Sequence, residues 1–404
     1  MPGSNLSWLN LFVSDMQTGF GPFVPVRLAA SGWDPAMIGK ALSVGTIAAV
    51  LAQVPAGIIC DATTAKRGLA AAAIVATMLA VLLVGGVPLP VPVFLAEALQ
   101  GVAGVVLTLA IAGITLSLTQ HDKLGERLGN NLRFASLGGA VGAGLLGLAG
   151  SRISHDSVFL LAAGFGLPAL FFLARIRAVD VLQAETRTSH LGALPPARRG
   201  KVQTKRQLLS DSRLLALMAC VLLFHLSNAA MLPLAAGSLA RNHGPSADLV
   251  VSWAIIIPQL LTAAASPWVG RRANLHGRRP LLLLGFAMLP VRALLFAIDG
   301  SPVMTLLAQV LDGVTSATFG VLVPLVVADI THRGGRFNMA LGMVGLATSV
   351  GATVSNYAAG SIASATGTPM AFVYLAAIGL CATAVLGLIL PETRHAPGEI
   401  APGA

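Results

Sequence analysis

Five ionisable side chains lie deep within apolar stretches of this sequence, where a charge is costly and is by default a candidate for function. They are Asp15, Glu97, His225, Arg292 and Asp312. Because burial disfavours the charged form of a carboxyl group, such an acid can bind and release a proton as its surroundings change. A histidine in the same setting could titrate near neutral pH or bind a metal. These residue types suggest the binding of protons or cationic groups inside an apolar protein.

Amide side chains accompany two of the acids at helical spacing. Glu97 and Gln100 are three residues apart, as are Gln309 and Asp312, so each pair lies on one face of a helix. These amides could contact a solute, or they could hydrogen-bond a neighbouring helix and hold a bundle together. Both interpretations stay open for Gln100 and Gln309.

The elements that must position these residues are apolar helices. Hydrophobic residues make up 55% of the 404 and charged residues 10%, whereas a soluble domain carries roughly 25% charge. Stretches such as 69–93 and 371–390 contain no charge and are long enough to cross a hydrocarbon core of roughly 30 Å as helices. The sequence therefore predicts an all-α integral membrane protein. Its twelve transmembrane helices, spans one to twelve, are predicted at 6–30, 36–60, 68–88, 91–118, 129–151, 156–176, 213–240, 247–270, 280–299, 302–329, 337–362 and 368–390.

Positive residues are unevenly distributed between alternate loops. Of the 26 Lys and Arg residues, 21 fall on one side, four on the other, and Arg292 lies inside a span. The positive-inside rule predicts a cell inner-membrane protein with both termini in the cytoplasm. The net charge of +10 is confined to these short clusters, so we expect no nucleic-acid partner. The predicted domains are a bundle at 1–176, a flexible basic cytoplasmic linker at 177–212, a bundle at 213–393 and a cytoplasmic tail at 394–404.

An internal repeat relates the two bundles. The segment 96–102 (Ala-Glu-Ala-Leu-Gln-Gly-Val) in span four matches 308–314 (Ala-Gln-Val-Leu-Asp-Gly-Val) in span ten. Other positions agree at nearly the same offset: Gly57 with Gly270, Asp61 with Asn274, and Asp15 with Asn228. Agreement at three sites, in span one, in the loop after span two and in span four, predicts two pseudo-symmetric six-helix bundles. Parallel six-span halves are a known plan of transporters, in which the substrate site lies near the membrane midplane between the bundles.

The deep ionisable residues leave different alternatives open. Asp15 and Asp312 lie near the middle of their spans, which favours a functional role. Glu97 lies nearer the outer end of span four, where simple solvation explains it equally well. His225 stands alone, and a lone histidine on a helix is more often a packing residue. Arg292 could extend outward or pair with an acid of the other half, and the sequence does not decide between these.

The loops after spans two and eight resemble a signature of the major facilitator superfamily. Gly57-Ile-Ile-Cys-Asp61 is similar to its G-x-x-x-D motif, and the basic tail of that motif is represented by Lys66 and Arg67. The segment 270–279 resembles a second copy. The Pro-Glu-Thr sequence at 391–393 is also frequent in this superfamily. The resemblance covers nearly the whole chain and implies that spans one, four, seven and ten line a central cavity.

The same resemblance implies a cytoplasmic gate. Asp61 would hold the two halves together when the protein opens outward, whereas its counterpart Asn274, between Gly270 and Arg278, has lost the charge. Asp329 at the inner end of span ten is the acid that could replace it. We expect Asp329 to pair with Arg278.

The expected function is secondary active transport of a small cationic or zwitterionic organic solute by alternating access, as a proton-coupled efflux antiporter. Span four reads Glu97-Ala-Leu-Gln-Gly101 where many proton-coupled drug antiporters have R-x-x-Q-G, so the resemblance to exporters is partial. The alternative is a metal or metal-chelate (siderophore) exporter that uses Asp15 and His225. A non-transporting receptor would not need acids at mid-membrane.

No nucleophile–base constellation or nucleotide-binding loop is visible in the sequence. We therefore expect neither an enzyme nor direct ATP coupling in this chain. No cofactor and no resident metal are expected. The expected partners are a small-molecule substrate, protons and the lipid bilayer, and the expected state is a monomer.

Overall fold

The computed structural model describes residues 2–20, 23–33, 35–176, 204–243, 247–298, 300–332 and 336–394. Regular structure within these ranges is helical. Eleven described helical segments are long and apolar enough to cross a membrane. Span one, which consists of Pro2–Phe20 and Phe23–Ala30, supplies the twelfth position of the bundle.

The first half, residues 2–176, contains six spans, of which the first and the sixth are each made of two helices. After span one come Pro35–Ala62, Lys66–Gly86, Pro90–Leu118, Leu124–Arg152 and, as span six, His155–Gly164 with Gly166–Ala174. A single 3₁₀ turn, His121–Lys123, precedes span five. Span five begins earlier than the predicted residue 129 because Leu124, Gly125 and Gly129 are already buried.

The second half, residues 204–394, repeats this arrangement. A short helix, Lys205–Leu209, precedes it. Span seven is Ser212–Asn228 with Met231–His243, and spans eight to twelve are Ala247–His276, Arg279–Ile298, Pro302–Thr331, Phe337–Thr366 and Thr368–Ile389. The predicted linker lies outside the described residues up to position 203, so the domain boundary stays a prediction.

Local sequence signals define several helix ends. The Asp211 side chain accepts a hydrogen bond from the Arg213 amide at 2.9 Å and caps span seven. Ser301 caps span ten in the same way, with Pro302 in the first turn. Gly367 separates spans eleven and twelve with a φ of 93°, a conformation that favours glycine.

The two halves meet through two pairs of helices. Span five packs against span eight, and span two packs against span eleven. Glycine permits both contacts: a Cβ atom on Gly57 would collide with the Asn338 carbonyl, and one on Gly270 would collide with the Gly125 carbonyl. Two of the predicted motif glycines therefore let the halves approach to backbone contact.

The bundle has two ends that differ in these contacts. The motif end carries the loops around Asp61, His121, Asn274 and Asp329, where the described halves are joined by hydrogen bonds and by a contact between His121 and Asp329. The opposite end carries the turns at Gly32 and Gly367. The halves are therefore closed against each other at the motif end.

Candidate functional site: the central cavity and the motif end

A cavity of about 910 Å³ lies between the two halves. The first half provides most of its polar lining, in which the amides are Asn10, Gln17, Gln53, Gln100 and Asn131. The second half provides a more apolar wall that includes Phe319, Val323, Pro324, Leu341 and Val344. The cavity thus has one polar side and one apolar side.

Among the described residues that line this cavity, Glu97 is the only one with an ionisable side chain. Glu97 is 5% exposed, and its Oε1 atom has no hydrogen-bond partner among the described residues. Span two carries Gly45 opposite it, where an added Cβ would lie 2.6 Å from Glu97 Oε2. Glycine at this position therefore gives the carboxyl group room beside span two. Gln100 lines the same cavity one turn further along span four.

Asp15 does not line the cavity, although its position near the middle of span one favoured a functional role and span one was expected to line a central cavity. It is 1% exposed and faces span five, where a Cβ on Gly142 would lie 2.9 Å from its Oδ1. The physical reason is helical geometry. Ser14 and Gln17 turn toward the cavity, and the residue after Ser14 is rotated by about 100° away from it.

Asp312 is also absent from the cavity lining, because it is paired inside the second half. Arg292 Nη1 lies 2.6 Å from Asp312 Oδ1 and donates to Asn228 Oδ1 at 2.5 Å. Arg292 is 2% exposed. Arg292 therefore meets neither expectation. It does not extend outward, and the acid with which it pairs belongs to its own half. Asn228 and Asp312 are held in a three-residue cluster between spans seven, nine and ten.

His225 and Gln309 are likewise not part of the cavity lining. The His225 ring packs edge-on against Phe224 and Phe319, with centroids 5.2 Å apart in both pairs. Gln309 is fully buried in span ten. Within the described residues, no group of three or more His, Cys, Asp or Glu side chains could hold a metal ion.

Several amides of the cavity were missed by the sequence analysis. On span one, Asn10, Ser14 and Gln17 recur at i, i+4 and i+7, which places them on one helix face. That spacing of polar residues in an apolar helix was a usable signal. Gln53 carried no comparable signal, because it is isolated in its span, and Asn131 did not stand out, because it lies in a polar stretch with Asn130 and Arg133 at the end of its predicted span.

The first copy of the gate motif closes the motif end through Asp61. Asp61 Oδ1 accepts hydrogen bonds from the Asn338 backbone amide at 3.0 Å and from its side chain at 2.9 Å, and Oδ2 accepts one from the Met339 amide at 2.8 Å. Span eleven begins at Phe337. A carboxylate of the first half therefore caps a helix of the second half, which is favourable for both the free amides and the helix dipole.

The basic tail of this first copy contacts other spans of the first half. Lys66 is buried, and a Cβ on Gly113 of span four would lie 3.2 Å from its Cδ. Arg67 donates to the Ala174 carbonyl at the end of span six at 3.1 Å.

The second copy uses different chemistry. Asn274 donates from its side chain to the Asp122 carbonyl of the first half at 2.7 Å. Arg278 Nε donates to Asp329 Oδ2 at 2.9 Å, so the predicted Asp329–Arg278 pair is present. His121 Nε2 of the first half lies 3.0 Å from Asp329 Oδ1. Asp329 is thus held from its own half and contacted from the other.

The Pro-Glu-Thr segment completes this cluster. Glu392 accepts hydrogen bonds from the backbone amides of Arg278 and Arg279, at 2.8 and 3.0 Å, where span nine begins. Thr393 Oγ1 donates to Asp329 Oδ2 at 3.0 Å.

Comparison with known proteins identifies this architecture. The family model described as Major Facilitator Superfamily matches residues 6–239 and again 217–404. The chain belongs to the major facilitator superfamily. The predicted family and twelve-helix fold are therefore confirmed. Members of this superfamily are transport proteins and not enzymes, so the chain is a multi-pass membrane transporter.

Individual relatives support the same assignment. An uncharacterised MFS-type transporter of Mycobacterium tuberculosis (strain H37Rv) is 35% identical over 396 residues, which cover 96% of this chain and 93% of the relative. Multidrug resistance protein 2 of Bacillus subtilis (strain 168) is 33% identical over 140 residues, 35% of this chain and 34% of that protein. The proton:xylose symporter XylE shares the fold, with a TM-score of 0.79, 13% identity, and coverage of 97% of this chain and 96% of that structure.

Proposed function

We propose that this superfamily member is a proton-coupled exporter of small organic cations or zwitterions in the bacterial inner membrane. The observation that carries the proposal is Glu97, a carboxylate in the wall of a cavity of about 910 Å³ with one oxygen that has no partner within the described residues. A buried carboxylate favours a cationic partner or a proton. No other described lining residue carries a charge to compete for either.

The two walls of the cavity add to this specificity. The amide-rich wall of the first half offers donors and acceptors for polar groups of a solute, and the wall around Phe319 and Val323 offers apolar surface. Ligand pockets commonly combine an apolar lining with a few placed polar groups. An amphipathic solute with one cationic group fits this combination. The name of the multidrug resistance relative supports export, over a third of the chain.

The proton is assigned to the acids of the first half. Neither Asp15 nor Glu97 forms an ion pair with a described residue, whereas Asp312 is paired with Arg292. An unpaired acid can change its charge without breaking an ion pair. In this proposal Glu97 binds either the cationic group or a proton, and Asp15, buried on span one, assists the exchange of protons.

The proposed orientation places the motif end and both termini in the cytoplasm, so that the closed motif end corresponds to an outward-facing protein. It is supported by the distribution of positive loops. Thr188→Cys, labelled on intact cells with a membrane-impermeant maleimide, should not react. Labelling of this cysteine would show that residue 188 faces the outside and would contradict the proposed orientation. The working unit in this proposal is a monomer.

The function is tested with the purified protein in proteoliposomes. An imposed pH gradient should drive uptake of tetraphenylphosphonium, an apolar monocation, and not of a neutral molecule of similar size. Glu97→Gln should reduce this flux at least tenfold, because an amide cannot exchange a proton or balance a cation. Glu126→Gln, an exposed acid at the motif end, is the matched control and should keep full flux. Equal flux in the Glu97→Gln variant would contradict the proposal.

The alternative, export of a metal or a metal chelate, lacks a comparable observation. The described residues hold no group of metal-ligating side chains, and His225 packs against aromatic rings. We therefore do not advance it as a second function.

A further inference from the structure

The second half contains a pocket of its own at the opposite end. It has a volume of about 320 Å³ and is enclosed by spans seven, nine, ten and twelve. The hydroxyl groups of Ser238 and Thr305 line it, together with the rings of Phe296 and Phe372, whose centroids are 5.1 Å apart. None of its lining residues belongs to the lining of the central cavity.

Two polar side chains, one in the wall of this pocket and one a helical turn deeper, are buried without hydrogen-bond partners among the described residues. Thr305 is 1% exposed, and its Oγ1 has no hydrogen-bond partner within the described residues. Gln309, one helical turn deeper, is 0% exposed, and neither its Oε1 nor its Nε2 has such a partner. Buried polar atoms in native proteins are nearly always hydrogen-bonded, to protein or to ordered water. A site lined by several such atoms is one that binds water.

These residues form a continuous line toward the buried ion pair. Thr305, Gln309 and Asp312 follow at i, i+4 and i+7, so they share one face of span ten and extend over roughly 10 Å along its axis. Span nine packs beside them and runs antiparallel to span ten: Phe296 lines the pocket, and Arg292, one turn deeper, pairs with Asp312 at 2.6 Å. Two neighbouring helices therefore lead from the pocket to the pair.

We propose that Thr305 and Gln309 bind a short file of water molecules that connects this pocket to the Arg292–Asp312 pair. The ligand of this site is water, with the proton as the ion that water can carry. The polar atoms along the file are the hydroxyl of Thr305 and the amide of Gln309, and its inner end is closed by the cluster of Arg292, Asp312 and Asn228. The inference goes beyond the proposed function, because this route lies within one half and does not use the central cavity.

The test measures the access of a small hydrophilic ion to the line of residues. The background variant replaces Cys60, Cys220 and Cys381 with alanine, and single cysteines are then introduced by Gln309→Cys or Asn228→Cys. Purified protein in detergent is exposed to Ag⁺, which binds thiolates tightly. Thiols left free are then alkylated after denaturation and counted by mass spectrometry.

The matched control is Leu307→Cys, because Leu307 lies at a similar depth on the same span but is 48% exposed on the apolar outer surface. We expect Gln309→Cys and Asn228→Cys to react with Ag⁺ at least tenfold faster than this control. Reaction of both at the rate of the control would show a dry, packed helix interface and would overturn the inference. Asn228→Cys is an independent reporter if Gln309→Cys does not purify as a monodisperse protein.

A second substitution identifies the entry route. Ser238→Leu fills the pocket at the opposite end and should slow the reaction of both inner cysteines at least tenfold. Fast reaction that persists in this variant would place the route through the central cavity and contradict the proposal. Because the assay does not measure transport, its failure leaves the export proposal untouched, and normal transport by Glu97→Gln would leave this inference untouched.

Discussion

The two copies of the repeated motif in spans four and ten use their acids in opposite ways. In the first half the acid comes first, at Glu97, and faces the cavity without an ion-pair partner. In the second half the amide comes first, at Gln309, and the acid three residues later, Asp312, is neutralised by Arg292. One duplicated motif thus provides an acid without an ion-pair partner among the described residues and another that is paired with an arginine.

The neighbouring span decides between these outcomes. Gly45 on span two leaves space for the Glu97 carboxyl but offers no side chain to bind it. Span nine instead supplies Arg292, which forms an ion pair with the Asp312 carboxylate and donates a hydrogen bond to Asn228 of span seven. The difference teaches that the position of an acid in a membrane span does not assign its role. Its partner on the adjacent helix does.

The largest expected effect comes from breaking the Arg292–Asp312 ion pair of the second half. Arg292→Met leaves the Asp312 carboxylate without its cation in a buried cluster. Removing one partner of a buried pair typically costs about 3–5 kcal/mol, so we expect the free energy of unfolding to fall by about that amount. Denaturation of the purified protein by sodium dodecyl sulfate, followed by loss of helical circular dichroism, measures it.

The control for this prediction removes both charges together. The double variant Arg292→Met with Asp312→Asn should recover at least half of the lost stability, because no uncompensated charge remains. If the two single substitutions are simply additive, the pair is not coupled. The contrast drawn between the acids of the two halves would then lose its basis.

A smaller effect is expected where the two copies of the gate motif differ. Asp61→Asn removes a charge-assisted cap on span eleven, and a hydrogen bond to a charged group is worth about 1.5–3 kcal/mol. We expect this variant to populate a state open at the motif end at least tenfold more. Distances between spin labels on the two halves, measured by pulsed electron paramagnetic resonance, report that opening.

The second copy offers the matched change in reverse. Asn274→Asp restores the acid of the motif, but the side chain now donates to the Asp122 carbonyl at 2.7 Å, and a carboxylate cannot donate. Restoring the motif should therefore also favour opening, by a smaller factor than Asp61→Asn. Tighter closure in this variant would mean that the two copies are chemically interchangeable.

Much of the fold was predictable, because continuous apolar stretches and the positions of loops follow from what a membrane permits. The Asp329–Arg278 pair was also predictable, since the second motif lacks its acid and Asp329 is an acid predicted at the same end of the second half. The lining of the cavity was not. Asp15 and Ser14 are adjacent in sequence, yet only Ser14 lines the cavity, because helix rotation decides which residue faces inward. Rotation is set by packing between helices, as with Gly142 against Asp15.

The smallest expected effect comes from removing a hydrogen bond within the second half. Its result is compared with that of removing a contact between the two halves. Thr393 Oγ1 donates to Asp329 Oδ2 at 3.0 Å, but both residues belong to the second half, and Arg278 still neutralises the acid. Thr393→Val should therefore lower the free energy of unfolding by about 1 kcal/mol, the value of one hydrogen bond. It should leave the spin-label distances at the motif end unchanged.

The hydroxyl at Thr366 provides the reference for this last comparison. It is exposed and donates only to the Ile362 carbonyl of its own helix, so Thr366→Val should change neither quantity. His121 makes the contact between Asp329 and the first half, at 3.0 Å. Asp61→Asn is expected to open the motif end, and Thr393→Val is not. If Thr393→Val also opened it, the hydrogen bond from the Pro-Glu-Thr segment to Asp329 would be needed to keep the two halves closed. The contact between Asp329 and His121 would then not be sufficient to hold Asp329 to the first half.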